Sequence, residues 1–255
     1  MKLNENTLSR VHPAAKMHAG EYTEGKLSRR EFITRATALG VATTTAYGLI
    51  GASAPVHAGG HAQMGGTMRI QMEVRAFKDT RTWDWGQIAN VARGTLEYLV
   101  QYNNDGSFTP MLLEGWDVND NATQYTLRVR PGVTWNNGDP FTAADIVHNI
   151  ERWCDKNVEA NSMAGRFATL VDPETNKLIE GAVTTPDDLT VVLDLPNPDI
   201  SLIAGMSDYP AAVVHPSFDP DDVTNAVGTG AYLISSLEVG VKAVIVKNAE
   251  HTWWG

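Results

Sequence analysis

The sequence predicts a mixed α/β fold, on three observations. Segments that alternate apolar and polar residues lie beside segments with helical spacing. Turn dipeptides separate them. Several alternating segments are close enough along the chain to pair as antiparallel neighbours. The composition is that of a globular protein, with 255 residues, 43% hydrophobic and 20% charged. A formal net charge of -10 argues against a nucleic-acid partner, which calls for basic patches. The one cysteine excludes an intrachain disulfide.

The first 58 residues do not read as part of that fold. A polar stretch from Met1 to Lys26 precedes Ser28-Arg29-Arg30-Glu31-Phe32-Ile33, and an uncharged run extends from Ala36 to Met68. A charged start, a weakly apolar middle and a small-residue end describe an export signal, with cleavage expected after Val56-His57-Ala58. Within Ala36–Ala58 the large apolar residues are Leu39, Val41, Tyr47, Leu49, Ile50 and Val56, too few for a permanent membrane span. Removal leaves 197 residues with a formal charge of -13. An export route without a structural disulfide fits a bacterial periplasm. Gly59–Gly66 reads as a flexible linker.

The folded part is then expected to begin near Thr67. Met68–Val74 reads as a strand and Trp83–Gly86 as a loop. Ile88, Val91, Ala92, Leu96 and Leu99 share one helical face, with Asp84 and Gln87 placed as a capping pair. Tyr125, Leu127 and Val129 mark a half-buried strand, followed by turns at Pro131-Gly132 and Asn137-Gly138. Thr142 with Asp145 opens a helix whose apolar face is Ile146, Val147, Ile150, Trp153 and Cys154. Cys154 is therefore expected in the core rather than as a reactive thiol. Leu189, Val191, Leu193 and Leu195 give another strand. Ala231–Leu237 and Val241–Lys247 flank Glu238-Val239-Gly240 as a hairpin. Trp116, Trp135 and Phe141 are expected to pack inside.

Three segments carry a resemblance. The run from Tyr125 to Val147 (YTLRVRPGVTWNNGDPFTAADIV), then Gly228-Thr229-Gly230-Ala231-Tyr232, then Lys247–Gly255 with Trp253-Trp254 resemble, in order, segments of the family 5 extracellular solute-binding proteins. Asp79–Val100 is similar to the family's opening, with Thr80 where the family usually has proline. Ser28–Ile33 is similar to the twin-arginine (Tat) export motif. The family resemblance implies a class II-like two-lobed periplasmic binding protein that holds its ligand between lobes. It also implies an ABC permease as partner, no cofactor and a monomer. It assigns 67–96 and 216–255 to an incomplete lobe I and 97–215 to an inserted α/β subdomain. Family members are about twice this long, so the expectation is an N-terminal half whose second lobe is absent and which binds ligand poorly by itself.

On that reading the ligand-facing candidates lie in two places. In the loop Asp79–Gly86, Trp83 and Trp85 offer stacking surfaces, and Asp84 either pairs with a ligand ammonium or caps its helix; one of the two tryptophans is expected in the core. In Asn161, Ser162, Met163 and Arg166, the arginine either meets a ligand carboxylate or is a solvated surface side chain. The seven histidines have no ligand spacing with each other or with Cys154, so no metal site is expected. A secreted hydrolase is the weaker alternative, because no G-x-S-x-G or H-E-x-x-H pattern occurs. A non-transporting binding module, chemosensory or chaperone-like, shares the same signals.

Overall fold

A computed structural model describes residues 5–55 and 65–255; the expected cleavage point and most of the expected linker lie outside them. The order begins with four helices, α1 (Glu5–Ser9), α2 (Pro13–Thr23), α3 (Arg29–Ala38) and α4 (Thr43–Leu49). Then come α5 (Gly86–Ala92), β1 (Val100–Tyr102), β2 (Phe108–Pro110), β3 (Leu113–Val118) and β4 (Gln124–Val129). α6 (Ala143–Cys154), α7 (Met163–Arg166), β5 (Val183–Asp187), β6 (Thr190–Asp194), α8 (Leu202–Gly205), β7 (Tyr232–Glu238) and β8 (Lys242–Lys247) complete it. The mixed α/β expectation holds.

A four-stranded antiparallel sheet in the order β3-β4-β6-β5 forms the centre. Along β4, Tyr125, Leu127 and Val129 turn inward and Gln124, Thr126 and Arg128 outward, as a two-residue period dictates. Val191 and Leu193 do the same on β6, whereas Leu189 lies before the strand and is exposed. α6 lays Ile146, Ile150, Trp153 and Cys154 onto this core. Its start is held by Asp145, whose carboxylate accepts from the Thr142 backbone N–H at 2.8 Å. Asn149, also fully buried, is a polar member of that face: its amide brackets Val214, accepting from its N–H at 3.0 Å and donating to its carbonyl at 2.8 Å. Burial pushes the Cys154 thiol up to about 12, so this cysteine is a core residue.

Three expectations are corrected. Residues 67–74 form no strand; among the described residues their backbone accepts a bond only from Gly240, at the Val74 carbonyl (2.7 Å), so they lack the ladder a strand needs. The helix expected over residues 88–99 stops at Ala92. The carbonyls of Gly94 and Thr95 instead accept from Tyr232 and Gly230 (2.9 and 3.0 Å), and a Cβ at Gly228 or Gly230 would stand 2.1 or 2.2 Å from them. Asp84 does not cap α5, whose N-cap is Trp85; its carboxylate lies 3.4 Å from the Lys78 ammonium instead.

The segment expected to carry an export signal is folded where the structure describes it. Residues 5–50 are helical, and Phe32, Ile33, Ala36, Ala46 and Tyr47 are buried in an apolar cluster with Val11, Ala15, Leu39 and Val41. On α3, Phe32, Ile33, Ala36 and Thr37 recur at helical spacing, which lets the helix bury one face. Among the described residues, no helix is long and apolar enough to cross a membrane.

Candidate functional site

The two candidate segments meet. Asp79 opens a single turn at Thr80–Thr82 and accepts from the Arg81 backbone N–H at 3.2 Å. Its carboxylate also takes Arg81 Nε at 3.0 Å and Arg152 Nη2, from the end of α6, at 2.7 Å. Burial pushes the Arg152 guanidinium down from its usual value, and the Asp79 charge opposes that shift. From the other side, Ser162 donates both its N–H (2.9 Å) and its hydroxyl (3.2 Å) to the Arg81 carbonyl. The loop before α5 and the segment after α6 are thus clamped through Arg81.

Within this frame the predicted residues divide. Trp83 is fully buried, donates its indole N–H to the Lys78 carbonyl at 3.0 Å and packs edge-on against Phe77. It is the core member of the tryptophan pair. Trp85 is 41% exposed, and the Arg75 guanidinium lies over its ring at 4.1 Å. Asp84 is exposed beside Lys78. Asn161 ties two helices together: its amide N–H₂ donates to the Asp155 carbonyl at 2.8 Å, and its carbonyl oxygen accepts from Met163 N–H at 3.0 Å. Met163 is fully buried. Arg166 pairs with Asp208 through Nε at 2.7 Å and Nη2.

An open depression of about 520 Å³ lies where the segments meet, lined by Lys78, Thr82, Asp84, Glu159, Ser162 and Tyr209. Tyr209 also lines a larger groove of about 900 Å³, which runs past Gln71, Gln87, Arg93, Tyr98 and Gln101. Arg166 lines a separate hollow with Tyr102, Phe108 and Asp208. The chemistry of the first two is polar with aromatic edges, and Lys78 and Asp84 offer one charge of each sign. Among the described residues no cluster of histidine, cysteine, aspartate or glutamate could hold a metal ion.

Sequence reasoning missed Arg81, Arg152, Asp208 and Tyr209. Arg152 reaches Asp79 across 73 residues and Arg166 reaches Asp208 across 42, beyond any local spacing rule.

A central antiparallel sheet, an α6 laid across it and a glycine-pinned hairpin returning to the start of the fold define a binding-protein lobe, and the comparisons name the family. Residues 107–255 match the model of the bacterial extracellular solute-binding proteins, family 5 Middle, and the chain belongs to that family. The periplasmic murein peptide-binding protein MppA of Escherichia coli is 31% identical over 176 residues, which cover 64% of this chain and 32% of that protein. The periplasmic oligopeptide-binding protein OppA of Haemophilus influenzae is 29% identical over 173 residues, 63% of this chain and 32% of its own. Among solved structures, MppA in its unliganded open form superposes with a TM-score of 0.60 at 25% identity, covering 71% of this chain and 37% of that one. Listeria monocytogenes OppA bound to peptide gives 0.60 at 22% identity, over 72% and 38%. The chain spans about a third of the length of the curated relatives it matches.

Proposed function

We propose that this chain belongs to the solute-capturing component of an ABC importer, working in the periplasm. A peptide or similar small solute is held between two lobes and passed to a membrane permease, and no bond is made or broken. Residues 1–58 serve as the export leader, by the twin-arginine route. Residues 67–96 and 216–255 belong to an incomplete lobe I, and 97–215 to an α/β subdomain inserted in it. Family membership over residues 107–255 is the observation that carries this reading. The open depression between the two clamped segments supports it, with Asp84 in its lining; Trp85, outside that lining, is the exposed aromatic of the same loop.

The test is thermal unfolding of the purified protein against a peptide library, followed by mass spectrometry of the peptides. A ligand at about 100 times its Kd adds about 2.7 kcal/mol of stability and raises Tm. Trp85→Ala is expected to weaken that response about tenfold in ligand concentration, the usual cost of losing one aromatic contact. Deleting the gene is expected to abolish uptake of the same peptide. Cleaved peptide in the recovered mixture, or unchanged uptake in the deletion strain, counts against the reading.

A further inference from the structure

We infer that the leader is an intramolecular cap: its helices bury the apolar end of the paired-arginine motif in a cluster of their own, and α3 and α4 dock that cluster on the β1–β2 hairpin and the β3 edge. The masking role rests on the reading of residues 1–58 as an export leader; the docking does not.

The contact is specific rather than merely apolar. Thr37 Oγ1, fully enclosed, donates to its own helix at Ile33 O (2.8 Å) and accepts the Phe108 backbone N–H at 3.0 Å. The Trp116 indole donates to the Ala38 carbonyl at 3.1 Å, a second buried bond between leader and body. Thr34 donates to the Gly106 carbonyl at 2.7 Å, and Tyr47 donates its hydroxyl to Asp105 at 3.0 Å. Arg30 donates to the Tyr102 hydroxyl at 3.1 Å. Both backbones are shaped for the approach. Gly106, at φ +91°, has no room for a side chain against Arg30, where a Cβ would come within 2.7 Å. Gly40, at φ +81°, sits equally tight on the Trp116 carbonyl at 2.8 Å. Phe108 N–H and Trp116 Nε1 are body groups whose partners lie in the leader, so undocking leaves both to be satisfied by water.

The consequence falls on Ser28–Ile33. Phe32 and Ile33 have no exposed surface, while Arg29 and Arg30 remain at the surface. A receptor with acidic groups for the arginines and an apolar pocket for the residues after them can reach only Ser28 to Glu31. Full reading therefore requires the cluster of α2, α3 and α4 to open, which the bonds from α3 and α4 to the body oppose.

Amide hydrogen exchange on the full chain tests the docking. Residues 32–38 are expected to exchange at least about 100-fold more slowly than unprotected amides. Thr37→Val and Tyr47→Phe each remove one bond to the body and are expected to speed exchange across 29–50 about tenfold, while amides of β4 keep their protection and so report an intact body. Both variants are then expected to be exported faster than the wild type. Unprotected exchange at 32–38 in the wild type overturns the cap. Faster exchange in the variants with wild-type export overturns the masking. An Arg29→Lys, Arg30→Lys precursor that is exported at the wild-type rate shows that the leader reading itself has failed, which also removes the masking role and leaves the exchange result standing.

Discussion

Glu97 is 2% exposed and ionisable, and three side-chain donors meet its carboxylate: Thr229 Oγ1 at 2.8 Å, Trp253 Nε1 at 3.0 Å and Trp254 Nε1 at 2.7 Å. A charged acceptor serves this geometry because it has lone pairs on both oxygens and no hydrogen to clash with two indoles. An amide in its place presents N–H₂ to at least one donor. Glu97→Gln is therefore expected to cost about 2 kcal/mol in urea unfolding and to move the indole resonances of Trp253 and Trp254; a loss under about 0.5 kcal/mol would show that water replaces the carboxylate freely. Tyr98 offers a pH test. Burial pushes its hydroxyl up to about 12, while Arg93 over the ring pulls the other way. A folded value above the unfolded one, near 10, means the stability is present at neutral pH and lost as pH rises from about 10 through about 12. The shift corresponds to about 3 kcal/mol. Phenolate absorbance from Tyr98, compared with Tyr98→Phe, is expected to appear only with unfolding. Cys154 should likewise resist thiol reagents in native buffer and label fully in urea, since its thiol is buried.

At the scale of elements, local chemistry and distant contacts had different weights. The α6 start and the β7–β8 hairpin were legible because their signals are complete within a few residues: Thr142 with Asp145, and Val239-Gly240 between alternating runs. The helix over 88–99 was misjudged because its apolar spacing is real but its backbone acceptors are claimed elsewhere; Leu96 and Leu99 are fully buried without being helical. The two glycines of Gly228-Thr229-Gly230 explain this. They let the chain cross within reach of the Gly94 and Thr95 carbonyls, where no side chain fits. Gly230→Ala is expected to destabilise the protein by about 3 kcal/mol or more, or to prevent folding, because backbone on both sides must move. By contrast, Gly132→Ala meets open space but carries a φ of +76°, so a milder loss of about 1 kcal/mol is expected. Comparing the two by urea midpoint separates steric approach from backbone strain.

Across the whole molecule, one apolar cluster runs from Ala38 at the end of α3 to Val214 and joins it to the opening segment and the central sheet. The β7–β8 hairpin stands apart from it. Val239, Val241, Val244, Ile245 and Val246 are exposed there, on a two-stranded ribbon with an open edge. Such an edge is a template for pairing. Concentration-dependent self-association is expected in sedimentation velocity, and Val244→Lys is expected to reduce it; a monomer at every concentration would show that the ribbon is protected in solution.

The mixed α/β class, the resemblance to the solute-binding family, the core position of Cys154 and the capping of α6 were all determined by the sequence itself, through periods, caps and turns that act over a few residues. The candidate site was legible only as two segments. That they meet, that Arg166 answers to Asp208, that Trp83 and not Trp85 enters the core, and that α3 and α4 lie on the body were decided by tertiary structure. The physical reason is distance along the chain. Bonds such as Arg152 to Asp79 and Trp254 to Glu97 join residues 73 and 157 positions apart, and only the packed sheet brings their donors and acceptors within reach.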